Sequence, residues 1–240
     1  MNEWLRVSGL SKQYGRLPAL TDVDFSIRPG EILGLIGPNG SGKTTLFECM
    51  AGVLPPTAGR VLLDGHPITV RERSSLLFYL PDAVAPWPAQ PVKWALDFAI
   101  GFFGGRSALL QDVIDNLGLT PLLEYPMGAL SKGQRKRVML AIGLLTRQPV
   151  LLADEPFDGL DLRQSREAAA TLRAHASRGR TLFLSIHQIA DASRICDRFV
   201  LLSEGRVCGE GTLKDLTAHA LARGFVRPRP DLEEVFLALT

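Results

Sequence analysis

Gly37-Pro38-Asn39-Gly40-Ser41-Gly42-Lys43-Thr44-Thr45 fits the pattern G-x-x-x-x-G-K-[ST] and stands between the two kinds of segment such a loop requires. Ahead of it, Glu31 to Ile36 is a short apolar run of the buried-strand kind. Behind it, Thr45 to Ala51 reads as helix as far as Gly52. Glycines let the backbone curl so that several N–H groups face one anion, and the start of the helix adds the positive end of its dipole. The pattern places all nine residues around a nucleotide's phosphates, with Lys43 reaching the β- and γ-phosphates and the Thr44 hydroxyl holding Mg²⁺.

Outward from this loop, apolar β-branched runs alternate with helical stretches, which predicts an α/β fold with a mostly parallel central sheet. Candidate strands are Glu31 to Ile36, Ser75 to Leu80, Val150 to Ala153 and Thr181 to Ile186. Leu20 to Ile27 alternates with period two and stops at Pro29-Gly30, as an antiparallel strand does, and Arg60 to Asp64 repeats that style. From about residue 82 to 148 the texture turns helical, opened by Pro81, Pro86, Pro88 and Pro91. This stretch reads as a helical subdomain inserted in a single domain that spans 1–240, with a tail from about 212 to 240. Within the tail, Asp231 and Glu234 have N-cap and N3 spacing, and Leu232, Val235, Phe236 and Leu239 share a helix face.

Lys and Arg number 27 against 25 Asp and Glu, a formal charge of +2 with no block of like charge, so a nucleic-acid partner is not indicated. The start, Met1 to Arg6, lacks the basic end and apolar core of a signal peptide. Apolar stretches such as Val138 to Leu145 are far too short to cross a membrane, so a soluble chain is expected, with any membrane role supplied by a partner. Cys49, Cys196 and Cys208 are widely spaced and odd in number, which suits reduced structural thiols and not a metal site.

Val150-Leu151-Leu152-Ala153-Asp154-Glu155-Pro156 is an apolar strand ending in two carboxylates. Alone it is equally a strand entering an acidic turn. With a phosphate loop upstream, Asp154 suits a Mg²⁺ ligand opposite Thr44, and Glu155 suits a base that polarises an attacking water. Leu130-Ser131-Lys132-Gly133-Gln134 precedes the helical segment Arg135 to Leu145. Its Ser131 is either an ordinary N-cap or part of a second anion site. One triphosphate has no obvious use for two helix starts in one subunit.

Taken in order, Gly37 to Thr45, Tyr79 to Asp82, Leu130 to Gln134, Asp154-Glu155, Gly159-Leu160-Asp161 and His187 resemble the six motifs of the nucleotide-binding subunits of ATP-binding cassette (ABC) transporters. The resemblance covers nearly the whole chain. It implies a P-loop NTPase fold of the ABC type: a mostly parallel central sheet, an antiparallel β subdomain and an inserted helical subdomain. It further implies an ATPase using ATP and Mg²⁺, working as a head-to-tail dimer of two nucleotide-binding subunits, most simply a homodimer. Each ATP would then lie between one phosphate loop and Ser131, Lys132, Gly133 and Gln134 of the other copy. Asp161 takes the D-loop position, and His187 takes the switch position that hydrogen-bonds the γ-phosphate. Tyr14 resembles the aromatic that stacks on adenine, although a turn tyrosine is the alternative. The implied partner is an integral membrane permease, which would place the chain on the cytoplasmic face of the membrane.

Two positions depart from the family pattern. Asp82 stands where a Gln is usual, and as a further metal ligand it would add negative charge beside Asp154 and Glu155, either tightening Mg²⁺ or slowing attack. Lys132 stands where Gly is usual and brings an extra cation toward the partner's ATP. Trp87, Trp94, Phe98 and Phe102 follow the Asp82 segment. Most of them are expected to pack in the helical core, while the family uses this region to receive the permease. The tail resembles exporter ATPases, which favours export. An importer subunit, or a soluble cassette ATPase without a transport role, is the alternative.

Overall fold

A computed structural model of the chain describes residues 4–82, 84–224 and 230–240. The strands are β1 (Leu5–Tyr14), β2 (Leu17–Ile27), β3 (Ile32–Ile36), β4 (Ala58–Leu63), β5 (His66–Pro67), β6 (Leu77–Leu80), β7 (Val150–Asp154), β8 (Thr181–Ile186), β9 (Arg198–Ser203) and β10 (Arg206–Gly211). The α-helices are α1 (Lys43–Ala51), α2 (Val70–Leu76), α3 (Val92–Phe103), α4 (Leu110–Asn116), α5 (Lys132–Leu145), α6 (Leu162–Ser177), α7 (Ile189–Ile195), α8 (Leu213–Ala222) and α9 (Leu232–Leu239).

The central sheet runs β10-β9-β3-β8-β7-β6, parallel throughout except for β10, which returns antiparallel beside β9. Its inner strands are apolar on both faces, and the period of two divides them between two cores. Ile32, Ile36, Leu151, Ala153, Leu182, Leu184 and Ile186 join the core that holds α3, α5 and α6. Leu33, Leu35, Val150, Leu152 and Phe183 face α1 and a second, antiparallel sheet ordered β2-β1-β4-β5. Phe47 of α1 lies edge-on to Phe183 at 4.9 Å between ring centres, pinning the helix of the phosphate loop to the sheet.

Among the described residues, the segment between β6 and β7 carries α3, α4 and α5. The expected strand from Ser75 begins only at Leu77, because Thr69 and Glu72 form a capping box that carries α2 through residue 76. Strand β1 has no clean alternation in the sequence, for a physical reason. The register of β1 against β2 shifts between Val7 and Leu10 around Gly9, whose φ is 60°. Buried positions therefore change parity, from Leu5 and Val7 to Leu10. Asp231 caps α9 and exchanges bonds with Glu234, as their spacing implied.

Parallel order fixes where the chemistry can sit. Strands β3, β8 and β7 are neighbours with Ile36 opposite Ile186 and Asp154 opposite Ser185, so the segments that leave their C-terminal ends emerge side by side. Those segments begin at Gly37, Glu155 and His187.

Candidate functional site

The loop after β3 closes tightly on its surroundings. A Cβ at Gly37 would lie 2.2 Å from the Leu202 carbonyl oxygen, and one at Gly42 would lie 2.7 Å from that of Ala19, where φ is 105°. No side chain fits either place. Gly42 is the N-cap of α1, so the first-turn N–H groups, which have no partner inside the helix, open onto the loop. The Ser41 hydroxyl, inside the loop, is buried and has no hydrogen-bond partner among the described residues. Lys43 is buried, with its ammonium donating to the carbonyls of Gly37 at 2.8 Å and Pro38 at 3.1 Å. Burial lowers its pKa, and the charges of Glu155 and Asp154 pull the other way.

Asp154 ends β7 and is held from two sides. The Thr44 hydroxyl donates to its Oδ2 at 2.7 Å, and the Ser185 hydroxyl donates to its Oδ1. Ser185 also accepts the Glu155 N–H at 2.9 Å, so one hydroxyl orients both carboxylate residues. Sequence reasoning overlooked Ser185. Its signal was a polar residue in the otherwise apolar Leu182 to Ile186, a break with a cause in the neighbouring strand. Tyr79, already part of the Tyr79 to Asp82 motif, is a polar residue in β6; its hydroxyl is buried without a partner among the described residues, and its pKa is raised by burial and by Asp154, Glu48 and Asp82.

Glu155 has φ 48°, a left-handed backbone that costs a residue with a Cβ roughly 1–2 kcal/mol. It lines a cleft of about 250 Å³ with Ser185, His187, Asp158 and Gly159. His187 is exposed there, at the end of β8. Thr44 and Asp154 offer only oxygen, one hydroxyl and one carboxylate, which fits the few protein ligands that Mg²⁺ takes alongside a substrate's phosphates. Among the described residues no three His, Cys, Asp or Glu gather into a metal site of their own.

The departures look different in three dimensions. Asp82, expected to add negative charge beside Asp154 and Glu155, is ion-paired with Lys136 of α5 at 2.5 Å. Lys132, expected as a spare cation, pairs at 2.5 Å with Asp158, which lies three residues beyond Glu155. Both charges are met inside the chain by residues far away in sequence, which spacing along the chain does not reveal. Ser131 caps α5, accepting the Gln134 N–H at 3.3 Å while the Gln134 side chain accepts the Ser131 N–H at 2.9 Å. Gly133 lies so close to the Gly159 carbonyl that a Cβ would stand 2.4 Å from it. The turn that starts α5 therefore packs on the segment leading to Asp161, and Asp161 in turn caps α6.

Tyr14 is half exposed near the turn of the β1–β2 hairpin, with the Lys12 ammonium 5.4 Å from its ring centre. Trp94, Phe98 and Phe102 stack along one side of α3, with Trp87 edge-on to Trp94 and Phe98. Core packing was expected for most of these rings; Trp87 packs against the core, whereas Trp94 is 40% and Phe102 70% exposed. They bury against one another because α3 spends its opposite side, Val92, Ala95, Leu96 and Ala99, on the core.

Residues 20–158 match the family described as ABC transporter. The sulfate/thiosulfate import ATP-binding protein CysA 1 of Agrobacterium fabrum is 35% identical over 88% of this chain and 64% of its own length. The probable multidrug ABC transporter ATP-binding protein YbhF of Escherichia coli is 31% identical over 96% of this chain and 40% of its own. This chain thus spans less than two thirds of either relative. A solved structure described as the ATP binding subunit of an ABC transporter superposes with a TM-score of 0.87 at 28% identity, covering 98% of this chain and 99% of the other.

Proposed function

This chain belongs to the ABC transporter family and has the fold of its ATPases; from that premise we propose that it binds ATP at Gly37 to Thr45 and hydrolyses it to drive a transporter. The observation that carries the reading is the Thr44–Asp154 hydrogen bond, which brings the phosphate loop and the acidic strand end into one site. Thr44 and Asp154 would hold Mg²⁺, which when bound offsets charge on the phosphates. Lys43 and the first-turn N–H groups of α1 bind the phosphate oxygens. Glu155 takes the proton of the attacking water, its backbone aimed by Ser185. His187, which lines the same cleft as Glu155, hydrogen-bonds the γ-phosphate.

Ser131, Lys132, Gly133 and Gln134 act on the ATP of a second copy, with Asp161 near the junction. What supports this is the place of Leu130 to Gln134 in the order of the motifs, between the phosphate loop and Asp154-Glu155; within the chain itself Ser131 caps α5. ATP closes the pair because it contacts both halves only when they are closed, and hydrolysis removes that preference. Tyr14 stacks on adenine by one ring face. Among the described residues no helix is long and apolar enough to cross a membrane, so transport is assigned to a permease subunit that holds the chain at the cytoplasmic face. The two relatives' names point both ways, one import and one multidrug. Export is favoured here on the likeness of the tail ending in α9.

Phosphate release by the purified chain with MgATP, beside the Glu155→Gln variant, tests the assignment. The variant should stop turnover and collect as an ATP-bound dimer on size exclusion, and unchanged hydrolysis rejects Glu155 as the base.

A further inference from the structure

We infer that Lys136 is a positioning residue for the nucleotide site, acting through its ion pair with Asp82; this rests on the ATPase reading above. Lys136 sits in the second turn of α5 and is only 5% exposed, and its ammonium donates to both the Asp82 carboxylate, at 2.5 Å, and the Asp82 carbonyl, at 3.3 Å. An ammonium taken out of water needs such partners, and two of its three protons go to one residue.

Asp82 follows β6 by two positions, and β6 is the immediate neighbour of β7, with Leu80 opposite Ala153. Asp82 therefore leaves the sheet at the edge where Asp154 and Glu155 leave it. The Tyr79 phenol feels the charges of Asp154 and Asp82 together. Whatever fixes the place and the net charge of Asp82 also sets the field at the reacting end of the site. Lys136 does both. One turn earlier on α5, Lys132 holds Asp158 of the segment after Glu155. Lysines at i and i+4 thus tie one helix to both segments that flank the carboxylates.

Removing Lys136 alone frees a carboxylate toward Asp154 and Glu155, while removing both charges does not. The test is a double-mutant cycle of Lys136→Met and Asp82→Asn in the full chain, read by nucleotide-free urea unfolding and by ATP turnover at varied Mg²⁺. Lys136→Met should lower kcat by about tenfold with little change in KM for ATP, a loss of the size that coupled neighbours show. It should also shift the Mg²⁺ concentration that gives half-maximal rate. Adding Asp82→Asn should recover most of the rate, and Lys136→Arg should keep it. Independent, additive effects of the two substitutions in both measurements overturn the proposal, because a residue that merely fills space is not rescued by neutralising Asp82. If the unaltered chain hydrolyses no ATP, the ATPase reading fails by itself, and the unfolding cycle still decides whether the two residues act as a pair.

Discussion

Thr44 and Asp154, 110 positions apart in the chain, share a 2.7 Å hydrogen bond that joins the first turn of α1 to the end of β7. Asp154 is 4% exposed, so its Oδ2 has little water to turn to if the hydroxyl goes. Thr44→Val keeps the shape and deletes the donor. Leaving a buried carboxylate oxygen unpaired should lower nucleotide-free stability by about 1–3 kcal/mol in urea unfolding. Calorimetry should show a larger loss for MgATP than for ATP without the metal, since Thr44 is also the proposed ligand.

Glu155 offers a case in which stability and activity part. Its φ of 48° costs roughly 1–2 kcal/mol, while glycine there gives back about 0.5–1 kcal/mol through the freedom of its unfolded chain. Glu155→Gly should therefore leave the unfolding free energy unchanged or raise it by up to about 1.5 kcal/mol. Turnover should fall by at least about a hundredfold, the usual worth of a general base. A clear loss of stability would mean that the carboxylate, and not the backbone, is what the fold needs.

The phosphate loop, β3, β7 and β8 were legible because local sequence decides them. Gly37 to Thr45 is a self-contained pattern, and buried parallel strands read as short apolar runs. The caps at Ser131 and Asp231 were legible for the same reason, their partners Gln134 and Glu234 lying three residues on. Strand β1 was hidden by its bulge near Gly9, and β10 escaped because Gly209 and Glu210 break its apolar pattern, whereas β9 carries the plain apolar run Phe199 to Leu202 and was passed over without such a cause. Arg198 is buried and is satisfied by Glu31, just ahead of β3, and by Glu210 of β10. The pairing of Asp82 with Lys136 across 54 residues is of the same kind. Periodicity carries the elements, but not which charges meet once they are assembled.

His175 of α6 gives a pH dependence with a definite sign. It is buried, and burial followed by the charges of Arg180, Arg178 and Arg106 lowers its pKa from 6.5 to about 4. The unfolded chain takes up this proton near pH 6.5 and the folded chain only near 4, so stability is full above 6.5 and falls as the pH drops across that window. The contribution is on the order of 2–3 kcal/mol. Denaturant unfolding at pH 7 and 4.5 should show a loss that shrinks by about that amount in His175→Gln. An equal loss in both proteins would place the acid sensitivity elsewhere.

The aromatic side of α3 tests the proposed permease. Trp94 and Phe102 stack on Phe98 from either side, and the exposure of Phe102 is far more than a ring kept for the core would show. Truncating an exposed ring removes little buried area, so Phe102→Ala should change the unfolding free energy by less than about 1 kcal/mol. Exposed aromatics that already stack together lose little freedom when a partner covers them, which makes them strong anchors. Trp94→Ala with Phe102→Ala should leave ATP turnover by the isolated chain within about twofold, since neither residue lines the Glu155 cleft. Gentle affinity purification from membranes should recover an integral membrane protein with the unaltered chain and at least about tenfold less with the pair of substitutions, as loss of one to two anchor residues implies. Equal recovery from both would move the permease contact off α3, and a fall in the isolated ATPase rate would show that the stack supports the site itself.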